Sequence, residues 1–339
     1  MHSSFGQPGE LMAALSPAGQ RGMANSSTVQ RMTSSPAYVE RRPGRTRLIP
    51  IRNLHYQLRE WGDPSLDAAG RPPLVLTHGW MDVGASFQFI VDELARIEGA
   101  TRRVIAVDWR GFGGSTGGGV DAYWFHDYLG DLDALLDTLS PDTPVDLAGH
   151  SMGGNVVMNY AGTRPARVRR LVNLEGFGLP DMKPDQAPDR LAKWLDELKA
   201  PPSLRSYDTV DDVAARLRAN NPRLAADKAA WLAPHWSERR ADGRWHIRAD
   251  PAHKLTNPVP YRAAEIVAGW RRIAAPVLWV EGANTDVTKY WGNRYPRAEF
   301  EERLAQVPRV ERVLLDDCGH MLHHDQPAAV AARLAAFLG

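Results

Sequence analysis

From Leu48 onward, short apolar runs alternate with longer amphipathic stretches. LVLTH (Leu74 to His78), VIAVD (Val104 to Asp108), VDLAGH (Val145 to His150), LVNLE (Leu171 to Glu175), VLWVEG (Val277 to Gly282) and VERVLL (Val310 to Leu315) read as strands covered on both faces, the habit of parallel sheets. Helical patterns lie between them: SFQFIVDELARI from Ser86, WFHDYLGDLDALLDTL from Trp124, NVVMNYAGTRP from Asn155 and the terminal PAAVAARLAAFLG. Strand and helix alternating at this spacing predict an α/β architecture with an open, doubly wound, mostly parallel sheet of about eight strands. RNLHYQLREWGDP, from Arg52, alternates apolar with polar and predicts an antiparallel edge hairpin with the segment before it.

The alternation lapses over 178–268, which is rich in proline and helical in patches, as in DRLAKWLDELKA and DTVDDVAARLRA. An excursion of that length is too large for a loop and predicts a folded helical insertion. It divides the sheet domain into 46–177 and 269–339. Residues 1–45 are rich in Ser, Gly, Gln, Pro and Ala without a sustained apolar period, and are expected to form a disordered tail. The arginines at its end, Arg41, Arg42, Arg45 and Arg47, read as a solvated charge run.

Composition narrows the function. Lys and Arg number 41 against 40 Asp and Glu, so charge points to neither nucleic acid nor an anionic membrane as partner. The lone cysteine, Cys318, excludes an internal disulfide or a multi-cysteine metal site and suits a reducing compartment. With no apolar run of membrane-spanning length and no basic-then-apolar leader, the reading is a cytoplasmic protein without stable membrane insertion.

The candidate chemistry sits at strand ends, where open α/β sheets bind ligands. GHSMG, Gly149 to Gly153, matches G-x-S-x-G between a predicted strand and a predicted helix, the context that displays a serine on a tight turn. Ser151 is therefore the candidate nucleophile, and the amide of Met152 opens the helix behind it. THGWMD, Thr77 to Asp82, follows another buried strand and can aim the amide of Trp80 at the same point, completing an oxyanion hole. A serine hydroxyl needs a base, and His320 in LLDDCGHMLHHDQP is the candidate because it follows the last strand by a short glycine-containing loop. His323 and His324 read as surface or packing residues, His78 and His150 as structural, and Cys318 as a loop filler. Of the chain's 11 tryptophans, Trp194, Trp231, Trp236 and Trp245 fall in the insertion and are candidates for a pocket wall. The spacing of His and Asp suggests no metal site, and no motif calls for a cofactor.

Taken in order, HGW, DWRGFGGS, GHSMGG and CGH resemble the α/β-hydrolase superfamily from about residue 48 to the C-terminus, with the insertion where that superfamily carries a helical cap. HGWMDVGASF in particular is similar to the serine hydrolase-like proteins. The resemblance implies a Ser-His-acid triad. Its usual acid is an aspartate three residues beyond the glycine of VLWVEG, but EGANTD places Thr285 there and Asp286 one later. Asp286 is the preferred acid, and Glu175, at the end of LVNLE, the alternative used by certain haloalkane dehalogenases. Serine rather than aspartate at the elbow argues against dehalogenase and epoxide hydrolase chemistry. What remains is cofactor-free cleavage of a small apolar ester or related acyl compound by water; a C-C bond hydrolase, a lactonase and a non-catalytic ligand-binding member of the fold are the alternatives.

Overall fold

The computed structural model describes residues 37–67, 71–117 and 119–339. Eight strands form the main sheet: β1 (Arg45–Ile51), β2 (Leu54–Trp61), β3 (Leu74–Thr77), β4 (Val104–Val107), β5 (Val145–His150), β6 (Val168–Leu174), β10 (Val277–Gly282) and β11 (Val310–Leu315), in the order β1-β2-β4-β3-β5-β6-β10-β11. β1 pairs with β2, and β2 with β4, antiparallel; the remaining pairings are parallel. A second sheet, in the insertion, joins β7 (Ser206–Tyr207), β9 (Trp245–Ile247) and β8 (Ser237–Arg239), all antiparallel.

Successive side chains of the central strands feed two different cores, as the two-residue strand period requires. Ile105 and Val107 join the apolar cluster that includes α2 (Phe125–Leu139) and α3 (Met152–Thr163), whereas Val104 and Ala106 join the one that includes α1 (Gln88–Glu98) and the C-terminal helix Pro327–Leu338. β3, β4 and β5 are buried throughout because helices cover both faces. β11 departs from the expectation of a doubly covered strand: it is the sheet edge, and Leu314 is 62% exposed.

Three further elements correct the sequence reading. The insertion holds α4 (Ala187–Lys199), α5 (Val210–Asn220) and α6 (Ala226–Trp236), but also the small sheet, whose two- and three-residue strands are too short to leave a periodic signal. α7 (Ala263–Trp270) straddles the expected boundary at 268 and packs on α3, with Gly162 facing the Gly269 backbone. Residues 37–44 are not a loose tail. The backbone amide of Arg42 donates to Asp92 Oδ1 at 2.9 Å, and its guanidinium is buried with Nη2 donating to the Arg102 carbonyl at 2.8 Å. Tyr38 packs edge-on against Phe89 and Trp231, so this segment fastens α6 to the core. Nor is the arginine run wholly solvated, since Arg47 pairs with buried Glu60 at 2.7 Å. The remainder of the expected tail, 1–36, lies outside the described residues.

Candidate active site

The turn between β5 and α3 is built by close approach. A Cβ on Gly149 would stand 2.4 Å from the Gly153 carbonyl, and one on Gly153 would stand 2.3 Å from the carbonyl oxygen of Thr77. Only glycine fits either place. Between them Ser151 takes φ 51° and ψ −113°, a costly backbone for a residue with a side chain. The amide of Met152, the first residue of α3, has no acceptor within the helix.

His320, in the loop after β11, meets this serine. The Ser151 hydroxyl donates to His320 Nε2 at 3.0 Å, and His320 Nδ1–H donates to Glu175 Oε2 at 3.0 Å. Glu175 follows β6, is buried, and has φ 62°. Its other oxygen, Oε1, accepts from the amide of Gly282 at 2.6 Å and from the hydroxyl of Thr285 at 2.9 Å. The acid facing His320 is thus not the preferred Asp286. That residue is exposed, and its carboxylate accepts from the amide and hydroxyl of Thr288 at 2.9 and 2.5 Å, which hold it just below the usual carboxylate range. β6 and β10 are paired neighbours, Leu174 beside Val280, so carboxylates from either strand end can reach one point; the hydroxyl of Thr285 is turned inward to brace Glu175.

Two cavities open on Ser151 and His320, between sheet edge and insertion. The larger, about 430 Å³, also meets Asn221, Arg223, Leu224 and Trp236. The smaller, about 120 Å³, is walled by Tyr123, Phe125, Phe177, Leu255 and Trp291. Trp80 lines both. Of the four insertion tryptophans expected here, Trp236 alone lines either of these two cavities. Trp231 donates its indole N–H to Glu40 Oε1 at 3.1 Å, and Trp245 packs against the apolar cluster that joins the insertion to Val83, Ala85 and Phe89. Trp194 lies on α4, away from both cavities. Position within the insertion does not say which way each ring faces. The aromatic wall comes instead from Phe177 after β6, Tyr123 and Phe125 at the entry to α2, and Trp291 after β10.

His253 fastens the insertion to the core. Its ring stacks between Phe112 and Tyr123, at 3.8 and 3.7 Å between centroids, its Nε2–H donates to the Arg110 carbonyl at 3.0 Å, and its own carbonyl accepts from the Trp80 indole at 3.2 Å. Burial pulls the imidazole down from 6.5 to about 3. The unfolded chain therefore binds the extra proton between these values, and stability falls as pH drops below 6.5, by up to about 1.4 kcal/mol per unit from this group. Buried His78, His150 and His324, also held below the ordinary histidine range by burial, add to the slope. Acid titration of the melting temperature should show the decline, and His253→Gln should remove about one proton from it.

The remaining candidates have structural settings. His78 Nδ1–H donates to the Gly79 carbonyl at 2.7 Å while its Nε2 accepts from the Trp109 amide at 3.0 Å. Asp108 accepts from the amides of Gly84 and Gly114 at 2.7 and 2.9 Å, which shapes the DWRGFGGS turn. Cys318 is buried with its thiol pushed up to about 12, chiefly by burial. His323 and His324 are not on the surface; both are buried, beside His150 and Asp82. Against the expectation that no metal-ligating group exists, Asp82, His150 and His323 bring possible ligand atoms within 4.8 Å of one another. They lie after β3, at the end of β5 and in the short helix Leu322–Asp325, so they carry no spacing that a sequence motif could register.

Residues 72–327 match the model of the alpha/beta hydrolase fold family. The chain belongs to that family. This hydrolase is 28% identical over 324 residues to a 3-hydroxybutyrate-oligomer hydrolase of Cupriavidus necator, across 91% of this chain and 100% of that protein. It is also 28% identical, over 284 residues, to a cis-3-alkyl-4-alkyloxetan-2-one decarboxylase of Shewanella oneidensis, covering 78% of this chain and 81% of the relative. Among solved structures, a thioesterase domain from the curacin biosynthetic pathway superposes with a TM-score of 0.73 at 23% identity, covering 86% of this hydrolase and 99% of the domain. Among the described residues, no helix is long and apolar enough to cross a membrane.

Proposed function

We propose that this hydrolase cleaves carboxylic esters through an acyl-enzyme on Ser151, with His320 as the base and Glu175 as the acid of its triad. The observation that carries the reading is the unbroken chain of two 3.0 Å contacts from hydroxyl to imidazole to buried carboxylate. Ser151 Oγ attacks the ester carbonyl as His320 Nε2 takes its proton. Negative charge gathers on the carbonyl oxygen, for which the amides of Met152 and Trp80 serve as donors, each worth about 3 kcal/mol in the transition state. His320 then gives the proton to the departing alcohol, and water repeats the sequence in reverse to free the acid. Glu175 holds Nδ1–H toward itself and stabilises the transient imidazolium. No metal or cofactor enters these steps.

The cavities bear on the substrate. We assign the acyl chain to the aromatic lobe of about 120 Å³, which suits a short chain, and the alcohol part to the larger lobe with its amide and guanidinium groups. A short hydroxyacid ester, with polar groups beyond the scissile bond, fits this division, and the relatedness to an oligomer hydrolase of 3-hydroxybutyrate agrees with it. The test is a series of p-nitrophenyl esters. Acetate to hexanoate should be turned over with kcat/KM at least about tenfold above dodecanoate. Trp291→Ala, which opens the aromatic lobe, should move the optimum to longer chains. A profile that rises steadily with chain length in the unaltered protein would contradict the assignment.

A further inference from the structure

Under the larger cavity stands a group of side chains that ester hydrolysis does not use. Asp82, His150, His323 and His324 are each more than nine-tenths buried. Asp82 Oδ2, His150 Nδ1 and both ring nitrogens of His323 and of His324 lack hydrogen-bond partners. One such atom in a protein interior is costly, and several in one place point to a partner bound among them. His323 Nε2 and Asp82 Oδ2 are 3.5 Å apart without hydrogen-bond alignment, and His150 and His323 have ring centroids 4.4 Å apart.

What surrounds these atoms is ordered in a particular way. His150 Nε2–H donates to the His320 carbonyl at 2.8 Å, which fixes the tautomer and leaves the Nδ1 lone pair facing the group. Asp82 is pinned through Oδ1 alone, which accepts from the Val83 amide at 2.9 Å, the Trp236 indole at 2.8 Å and the Ser86 hydroxyl. Its second oxygen points inward. In His150 and Asp82, an outer atom bound to the protein and an inner atom left bare is the arrangement that orients metal ligands. Asp82, His150 and His324 also line the larger cavity, which supplies a route from solvent.

We propose that Asp82, His150 and His323 form a binding site for a divalent transition-metal ion of the zinc class, distinct from the triad and adjoining it. Two imidazoles and one carboxylate suit zinc, cobalt or nickel, not magnesium or calcium, which require mostly oxygen. The three possible ligand atoms lie within 4.8 Å of one another, around a point from which a zinc-class ion makes bonds of about 2.0–2.2 Å. Granting the proposed function, the ion also regulates it. The rings of His150 and His320 lie 4.9 Å apart, and a cation bound to one opposes the positive charge that the other must acquire during acyl transfer. Occupancy therefore inhibits hydrolysis reversibly.

The test uses untagged full-length protein freed of metal by a chelator and titrated with cobalt(II), followed by visible absorption and by competition with zinc. The expected result is one bound equivalent with the absorption of nitrogen- and oxygen-ligated cobalt, displaced by zinc. His323→Gln and Asp82→Asn should each weaken binding by about 100-fold or more while melting cooperatively, whereas His246→Gln, at the exposed His246–Asp242 pair, should not. Absence of a cobalt spectrum in the unaltered protein, or equal binding by both site variants, would overturn the site. Ester hydrolysis measured in the same titration should fall with the same stoichiometry; full binding with unchanged turnover overturns the regulatory coupling. A protein inactive toward every ester yet binding cobalt overturns the esterase reading and supports the site.

Discussion

Ser151→Ala is expected to lower kcat for a short p-nitrophenyl ester by about 10⁴-fold or more. The hydroxyl is the only group on the elbow that the proposed mechanism gives a bond to the substrate carbon, and a methyl cannot replace it. The fold should survive. Alanine tolerates φ 51° no worse than serine, and the substitution removes one part-exposed hydrogen bond to His320, so stability should change by no more than about 1 kcal/mol. Circular dichroism and thermal melting check the fold, and stopped or continuous ester assays check the rate. A variant that keeps a tenth of the activity would remove Ser151 from the chemistry.

Glu175→Gln should reduce kcat by about 10²–10⁴-fold with KM little altered, because an amide neither stabilises the imidazolium nor keeps Nδ1 as the protonated nitrogen. Asp286→Asn, by contrast, should change kcat less than about threefold, since its carboxylate is engaged with Thr288 on the exposed side of the loop. The pair of variants separates the two carboxylates that the sequence left as rivals. Equal losses in both, or the larger loss at Asp286, would reverse the assignment. Glutamine at 175 retains the acceptor that Gly282 and Thr285 need, so a fall in activity in a folded protein reports on the His320 contact and not on a collapsed loop.

What could be read from the chain, and what could not, follows from how far apart the cooperating residues lie. The β5-turn-α3 junction is written within a few consecutive positions, so the elbow was visible as an interrupted strand followed at once by a helix. His320 was visible because a short loop after the last strand leaves few directions for its ring. The acid was not decidable, since β6 and β10 are side by side and end at the same edge; the choice rests on Thr285, whose hydroxyl turns toward Glu175 and whose role no local pattern announces. The insertion tryptophans illustrate a second limit. Trp231 and Trp236 share α6, yet one reaches Glu40 and the other Asp82, and only docking of the helix decides which of them meets the cavity. Likewise, the segment 37–44 has a tail-like composition, but Tyr38 and Arg42 find apolar and carbonyl partners more than forty residues away. The buried group of Asp82, His150 and His323 belongs to the same class, being assembled from three segments far apart in the chain.

Turnover as proposed depends most on Ser151 being activated by His320, and a fluorophosphonate probe reads that directly, because only a serine whose proton is taken by a neighbouring base reacts quickly. Digestion and mass spectrometry of the labelled protein should find one adduct per chain, on Ser151, formed rapidly in the unaltered protein and at least about 10³-fold more slowly in His320→Ala. A folded protein that stays unlabelled, or an adduct on a different residue, would contradict it.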